Sequence, residues 1–147
     1  DLATFGKPMS TQSKFDSVRI GEQLPGLNVP ITASLIVAGA IATSDYSLVH
    51  HDKAHAQAAG TPDIFMNILT SNGVVQRREH AWAGAGARIR CLKMRLGAPN
   101  FPGDALRLSG TVTTREVIGK EKIVEVAVRG RNRLGEHGTA TVRLALP

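Results

Sequence analysis

Cysteine is nearly absent, Cys91 being the only one in 147 residues. A lone thiol forbids an intrachain disulfide, so nothing marks an oxidising compartment and a cytoplasmic setting is expected. Aromatic residues are scarce too, with four phenylalanines, one tyrosine and one tryptophan. No basic segment interleaves with them as a base-stacking surface requires, which argues against nucleic-acid binding. Long apolar runs are also missing. The longest, from Ala33 to Thr43, contains a serine and a glycine and is too short to span a bilayer. No charged, apolar and small-residue signal pattern opens the chain, so a membrane is not expected as a partner either.

What is present is positive charge, +6 with a pI near 10.1, which favours an anionic partner such as a phosphorylated small molecule. The length suits one domain with a real core. Residues 1–14, DLATFGKPMSTQSK, are polar and aperiodic, with Met9 as a candidate native start. They are expected to be a disordered or foreign leader ahead of a single domain spanning 15–147.

From Arg88 onward the apolar residues alternate. In ALRLSGTV, Leu106, Leu108 and Val112 share one face and Arg107, Ser109 and Thr111 the other, the period of a half-buried strand. KIVEVAVRG and TATVRLAL repeat the pattern, and the joints VIGKEK and LGEHG carry hairpin residues, which predicts an antiparallel meander. ARIRCLKMRL changes parity between Cys91 and Leu92, where a bulge is expected.

Upstream the period is helical. Thr32 can cap a short helix over Ala33 to Ala42, after a strand around Leu27 to Ile31. TPDIFMNILTSNGVVQRRE predicts a long helix capped by Thr61, with Pro62 at its first position, Asp63 in its first turn and Arg77 and Arg78 at its end. Its apolar residues cover most of the circumference, so burial on nearly all sides is expected, as in a helix wrapped by a curved sheet. Gly73 then marks either a close backbone contact or a tolerated glycine. The fold class is α+β.

The stretch SDYSLVHHDKAH holds Asp45, Asp52, His50, His51 and His55, three of the chain's five histidines. His51 and His55 have the spacing of metal ligands on one helical face. The segment lacks the glutamate of helical zinc hydrolases, however, and no metal is assigned. As an acid/base pair, Asp45 would sit at the negative end of the preceding helix, with a raised pKa. His50 would precede the next short helix, with a lowered one. The opposing reading has Asp45 and Asp52 capping helices and the histidines solvated. On the residues alone the two readings are even, and His51, His55, His80 and His137 are assigned to solvent. Trp82 reads as core, and Cys91 has no evident base beside it.

IATSDYSLVHHD resembles the hallmark of the MaoC-like, or R-specific, enoyl-CoA hydratases of the hotdog fold: an aspartate and a histidine five apart, behind a helix ending in Ala-Thr. Asp45, Val49, His50 and Asp52 match, while Ser47 and Leu48 replace the family's Asn-Pro. GAPNFPGDALRLSGTV is similar to the family's proline-glycine-aspartate turn and the strand after it, and the likeness runs from about Phe15 to Leu146.

The resemblance implies a curved antiparallel sheet around a central helix. It also implies syn hydration of a trans-2-enoyl-CoA to a (3R)-3-hydroxyacyl-CoA, or the reverse dehydration, with Asp45 and His50 catalytic. The backbone N–H at Asn67, where the family has glycine, would receive the thioester oxygen. No cofactor is implied, coenzyme A being part of the acyl-CoA substrate. Substrate would bind between this chain and a second hotdog chain, in a homodimer, heterodimer or heterotetramer. DYSLVHHD with DIFMNILTSNGVVQR further resembles the small catalytic chains of two-chain MaoC-like hydratases acting on steroid side-chain acyl-CoA thioesters. Arg88, Arg90, Arg129, Arg131 and Arg133 are candidates for the CoA phosphates. The alternatives on this fold are an acyl-CoA thioesterase and a non-catalytic acyl-CoA-binding subunit.

Overall fold

A computed structural model describes residues 14–147; the leader expected over 1–14 therefore lies, except for Lys14, outside the described residues. Along the chain come α1 (Lys14–Ser17), β1 (Leu27–Pro30), α2 (Ala33–Ala42), a 3-10 turn (Leu48–His50), α3 (Lys53–Ala58) and α4 (Ile68–Ala83). Four longer strands follow: β2 (Arg88–Leu96), β3 (Ala105–Ile118), β4 (Glu121–Asn132) and β5 (Gly135–Leu146). With β1 they form one five-stranded antiparallel sheet in the order β1-β3-β4-β5-β2. β3, β4 and β5 are the expected meander, and β2 closes the far edge against β5.

The alternation decides which face is buried. Leu106, Leu108, Val112, Val124, Val126, Val142 and Leu144 all point inward and are at most 4% exposed. Val74, Val75 and Ala83 of α4 belong to the same core cluster. Each such valine or leucine stabilises the fold by about 1.5–3 kcal/mol through its removal from water.

Four local expectations are corrected. The central helix starts at Ile68, not after Thr61, because Asn67 is the better cap: its side-chain oxygen accepts from Thr70 N–H at 2.9 Å. Thr61, Pro62 and Asp63 instead form a turn in which the Thr61 hydroxyl bonds the Ala56 carbonyl. The helix runs on to Ala83 and ends at Gly84, whose φ of 89° suits glycine. Arg77 and Arg78 are thus not terminal. Arg78 is buried, pairing with Glu79 at 2.8 Å and donating to the Pro25 carbonyl at 3.2 Å.

Burial of α4 is also less complete than its composition suggests, since Ile68 and Leu69 are 43% and 46% exposed. A side chain at Gly73 would meet nothing, so no close contact explains it. The close approach is at Gly39, where a Cβ would collide with the Thr70 side chain. Finally, the bulge in β2 falls between Ile89 and Cys91, making Arg90 the extra residue. Arg90 there turns outward to pair with Glu121.

Candidate active site

Asp45 is delivered by the end of α2. Thr32 caps the start, its hydroxyl accepting from Leu35 N–H at 3.0 Å. The end closes with two backbone bonds, Ser44 N–H to the Ile41 carbonyl at 3.0 Å and Asp45 N–H to the Ala40 carbonyl at 2.9 Å. This is the Schellman pattern, in which the residue just past the helix cap is left-handed. Ser44 takes that place with φ of 55°. A non-glycine residue there is strained by about 1–2 kcal/mol, and the turn throws Asp45 back off the helix end.

His50 ends the 3-10 turn and is buried. Its Nδ1 lies 2.6 Å from the Phe65 carbonyl. A carbonyl only accepts, so Nδ1 carries a proton and Nε2 is left facing the Asp45 Oδ2 at 3.3 Å. The Phe65 ring meets the imidazole edge-on at 5.0 Å between centroids, fixing its plane.

Asn67 joins this pair to the central helix. Its side-chain nitrogen donates to Asp45 Oδ2 and to the Thr43 hydroxyl, both at 2.9 Å, while its oxygen caps α4. The amide is thereby used at both ends. The Asn67 hydrogen bond, with a second from Ser47 N–H, holds the Asp45 carboxyl below its ordinary value. The expected raising of that pKa by the helix dipole is overturned, because two donors touch the carboxylate directly. The backbone N–H of Asn67 has no protein acceptor among the described residues.

These groups line a cleft of about 280 Å³ together with Leu96, Gly97, Pro99 and His137. His137 was assigned to solvent and is instead 1% exposed. The cause is a bulge in β5: Gly130 pairs with Gly138 but Arg131 with Glu136, so His137 is the unpaired extra residue. Strict alternation hides it, and only its position between glycines in GEHG hinted at irregular backbone.

The other histidines stay apart from the cleft. Asp52 caps α3 through His55 N–H at 2.9 Å, and His51, His55 and His80 are exposed. Among the described residues no group of three or more His, Cys, Asp or Glu side chains could hold a metal ion. Trp82 packs against the core with its indole N–H 3.3 Å from Glu22. Of the basic candidates, Arg90, Arg129 and Arg133 are in ion pairs with Glu121, Glu136 and Asp104.

Residues 16–132 match the model of the MaoC-like domain. The chain belongs to the MaoC-like family. It is 43% identical over 127 residues to the 3-oxo-4,17-pregnadiene-20-carboxyl-CoA hydratase beta subunit of Mycobacterium tuberculosis, covering 86% of this chain and 95% of that protein. Its fold matches a chain of the ChsH1-ChsH2 complex from the same organism with a TM-score of 0.81 and 43% identity, over 88% of this chain and 98% of that one. The R-hydratase PhaJ1 from Pseudomonas aeruginosa matches with a TM-score of 0.79 over 90% and 84%; at 19% identity this match speaks for the hotdog fold alone. Among the described residues no helix is long and apolar enough to cross a membrane.

Proposed function

We propose that this MaoC-like chain is a hydro-lyase. It adds water across a trans-2-enoyl-CoA to give a (3R)-3-hydroxyacyl-CoA, or runs the reverse dehydration, with a bulky, steroid-derived acyl group. The observation that carries this reading is the opposed pair of Asp45 Oδ2 and His50 Nε2 in a cleft at the start of the central helix. The similarity to a steroid side-chain acyl-CoA hydratase subunit supports the substrate.

Each residue's environment suggests its part. Asp45, held anionic by Asn67 and Ser47, orients a water and stabilises a neighbouring cation. His50, anchored at Nδ1, offers the Nε2 lone pair as base. As the water oxygen bonds to C3, its proton passes to Nε2 and the C2–C3 π electrons move toward the thioester oxygen. The Asn67 N–H, at the positive end of α4, receives that oxygen. The imidazolium then returns a proton to C2 on the same face, which makes the addition syn and regenerates neutral His50. No cofactor enters the sequence.

A second hotdog chain completes the site. Ile68 and Leu96, which line the cleft, are 43% and 38% exposed, and Tyr46, Leu48 and Leu69, near Asp45, His50 and Ile68 in the chain, are 69%, 46% and 46% exposed. An apolar rim of this kind is characteristic of a surface covered in the assembly. The relative's membership of a ChsH1-ChsH2 complex supports a heteromeric partner. The cytoplasm is the proposed compartment, consistent with the lone Cys91. The residues 15–147 act as one domain in this scheme. Loss of enoyl-thioester absorbance with trans-2-enoyl-CoA substrates, in wild type and in Asp45→Asn, tests the reading.

A further inference from the structure

The bulge in β5 does more than bury a histidine. His137 Nδ1 lies 2.7 Å from the Ala98 carbonyl and Nε2 2.9 Å from the Ser71 hydroxyl. Since the carbonyl can only accept, Nδ1 bears the proton and Nε2 accepts from Ser71 O–H. Burial holds the imidazole pKa below its ordinary value, more than the Ala98 bond raises it, so the ring stays neutral.

The two partners belong to different segments, each of which contributes residues to the cleft. Ser71 is in the first turn of α4, with its N–H bonded to the Asn67 carbonyl at 3.2 Å. Ala98 lies between Gly97 and Pro99, both of which line the cleft. That segment is itself tied to β5 by Gly97 N–H to the His137 carbonyl at 2.7 Å and Ala98 N–H to the Glu136 carbonyl at 2.8 Å. The ring therefore bridges the first turn of the central helix and the segment around Ala98. Ser71 and His137 are both at most 1% exposed, so water cannot replace either bond.

We propose that His137 is a positioning residue: a neutral imidazole strut between Ser71 and Ala98 that fixes where the N–H at the start of α4 meets the thioester oxygen. The proposal rests on the hydratase reading and deepens it. A donor to a developing enolate works only when it is already in place as charge appears. Loosening the strut leaves ground-state binding nearly intact and weakens transition-state binding.

The test has two arms on the full chain with its partner. Ring nitrogen-15 NMR of the resting protein near neutral pH is expected to show His137 protonated at Nδ1 and bare at Nε2. A ring protonated at Nε2, alone or with Nδ1, would overturn the strut. In steady-state assays with a trans-2-enoyl-CoA, Ser71→Ala and His137→Asn are each expected to lower kcat about tenfold or more with KM within about twofold. Their double variant should lose no more than the worse single, because both remove one strut. Unchanged kcat in folded Ser71→Ala, or a rise in KM alone, would contradict the proposal. The NMR arm needs no turnover, so it judges the strut even if the wild-type complex proves inactive on enoyl-CoA, a result that would defeat the hydratase reading separately.

Discussion

Asp45 Oδ2 and His50 Nε2 face each other across 3.3 Å, each held from behind: the carboxylate by the Asn67 amide at 2.9 Å and the imidazole by the Phe65 carbonyl at 2.6 Å. Two groups anchored in this way can share a water without moving. His50→Gln retains a polar group but not the imidazole lone pair. It is expected to cut kcat by about 100-fold or more, with a thermal midpoint close to wild type. Rates and melting curves on the same preparation check this, and a near-normal rate would remove His50 from the mechanism.

Asn67→Gly separates two parts of one residue. The backbone N–H survives, while the amide that lowers the Asp45 pKa is lost. The Asp45 pKa should therefore rise toward its ordinary 3.8, which a carbon-13 NMR titration of the carboxyl reads directly. A depressed folded pKa contributes stability that is complete above the unfolded value and lost as pH falls through the folded one. The stability advantage of wild type over the variant should accordingly shrink on acidification through that window. Parallel stability curves would show that Asn67 does not set the charge of Asp45.

Ser44 sits in the left-handed position of the turn that presents Asp45, with φ of 55°. Glycine removes the steric cost at the expense of some unfolded-chain entropy, for a net gain of about 0.5–1 kcal/mol. Ser44→Gly should raise the thermal midpoint. An unchanged or lower midpoint would mean that the serine is not strained there.

Arg78 and Glu79 form an ion pair on the sheet-facing side of α4, with exposures of 4% and 0%. Among the described residues, Glu79 Oε2 and one Arg78 guanidinium nitrogen find no hydrogen-bond partner. Removing one charge strands the other, so Arg78→Met should cost about 3–5 kcal/mol, whereas Arg78→Met with Glu79→Leu should recover much of that loss. Denaturant melts of the single and double variants measure it. Equal losses in both would assign the cost to packing instead of charge.

Much of this architecture was legible in the chain. Leu106, Leu108 and Val112 announced an inward face because period two admits little else, and Thr32 marked the start of α2 because a hydroxyl before an apolar run satisfies free N–H groups. The start of the central helix differs for a physical reason: Thr61, Pro62 and Asp63 suit a turn as well as a first helical turn, and the contacts of the Asn67 amide nitrogen to Thr43 and Asp45 orient its oxygen to cap Thr70 N–H. The family motif singles out Asp45 and His50, and the fold brings them to 3.3 Å of each other. From composition alone they could not be separated from caps and solvated histidines, as Asp52, His51 and His55 turned out to be. His137 was missed because a single extra residue in β5 reverses the face on which a side chain lies. Periodicity cannot register that event without the partner strand.

The most direct test of the central claim is loss of enoyl-thioester absorbance when the chain, together with its partner, meets trans-2-enoyl-CoA substrates including steroid-derived ones. The account predicts hydration that yields the (3R)-hydroxyacyl product and disappears in folded Asp45→Asn. Absorbance that stays constant across the panel in the assembled complex, or turnover that persists undiminished in Asp45→Asn, would contradict it.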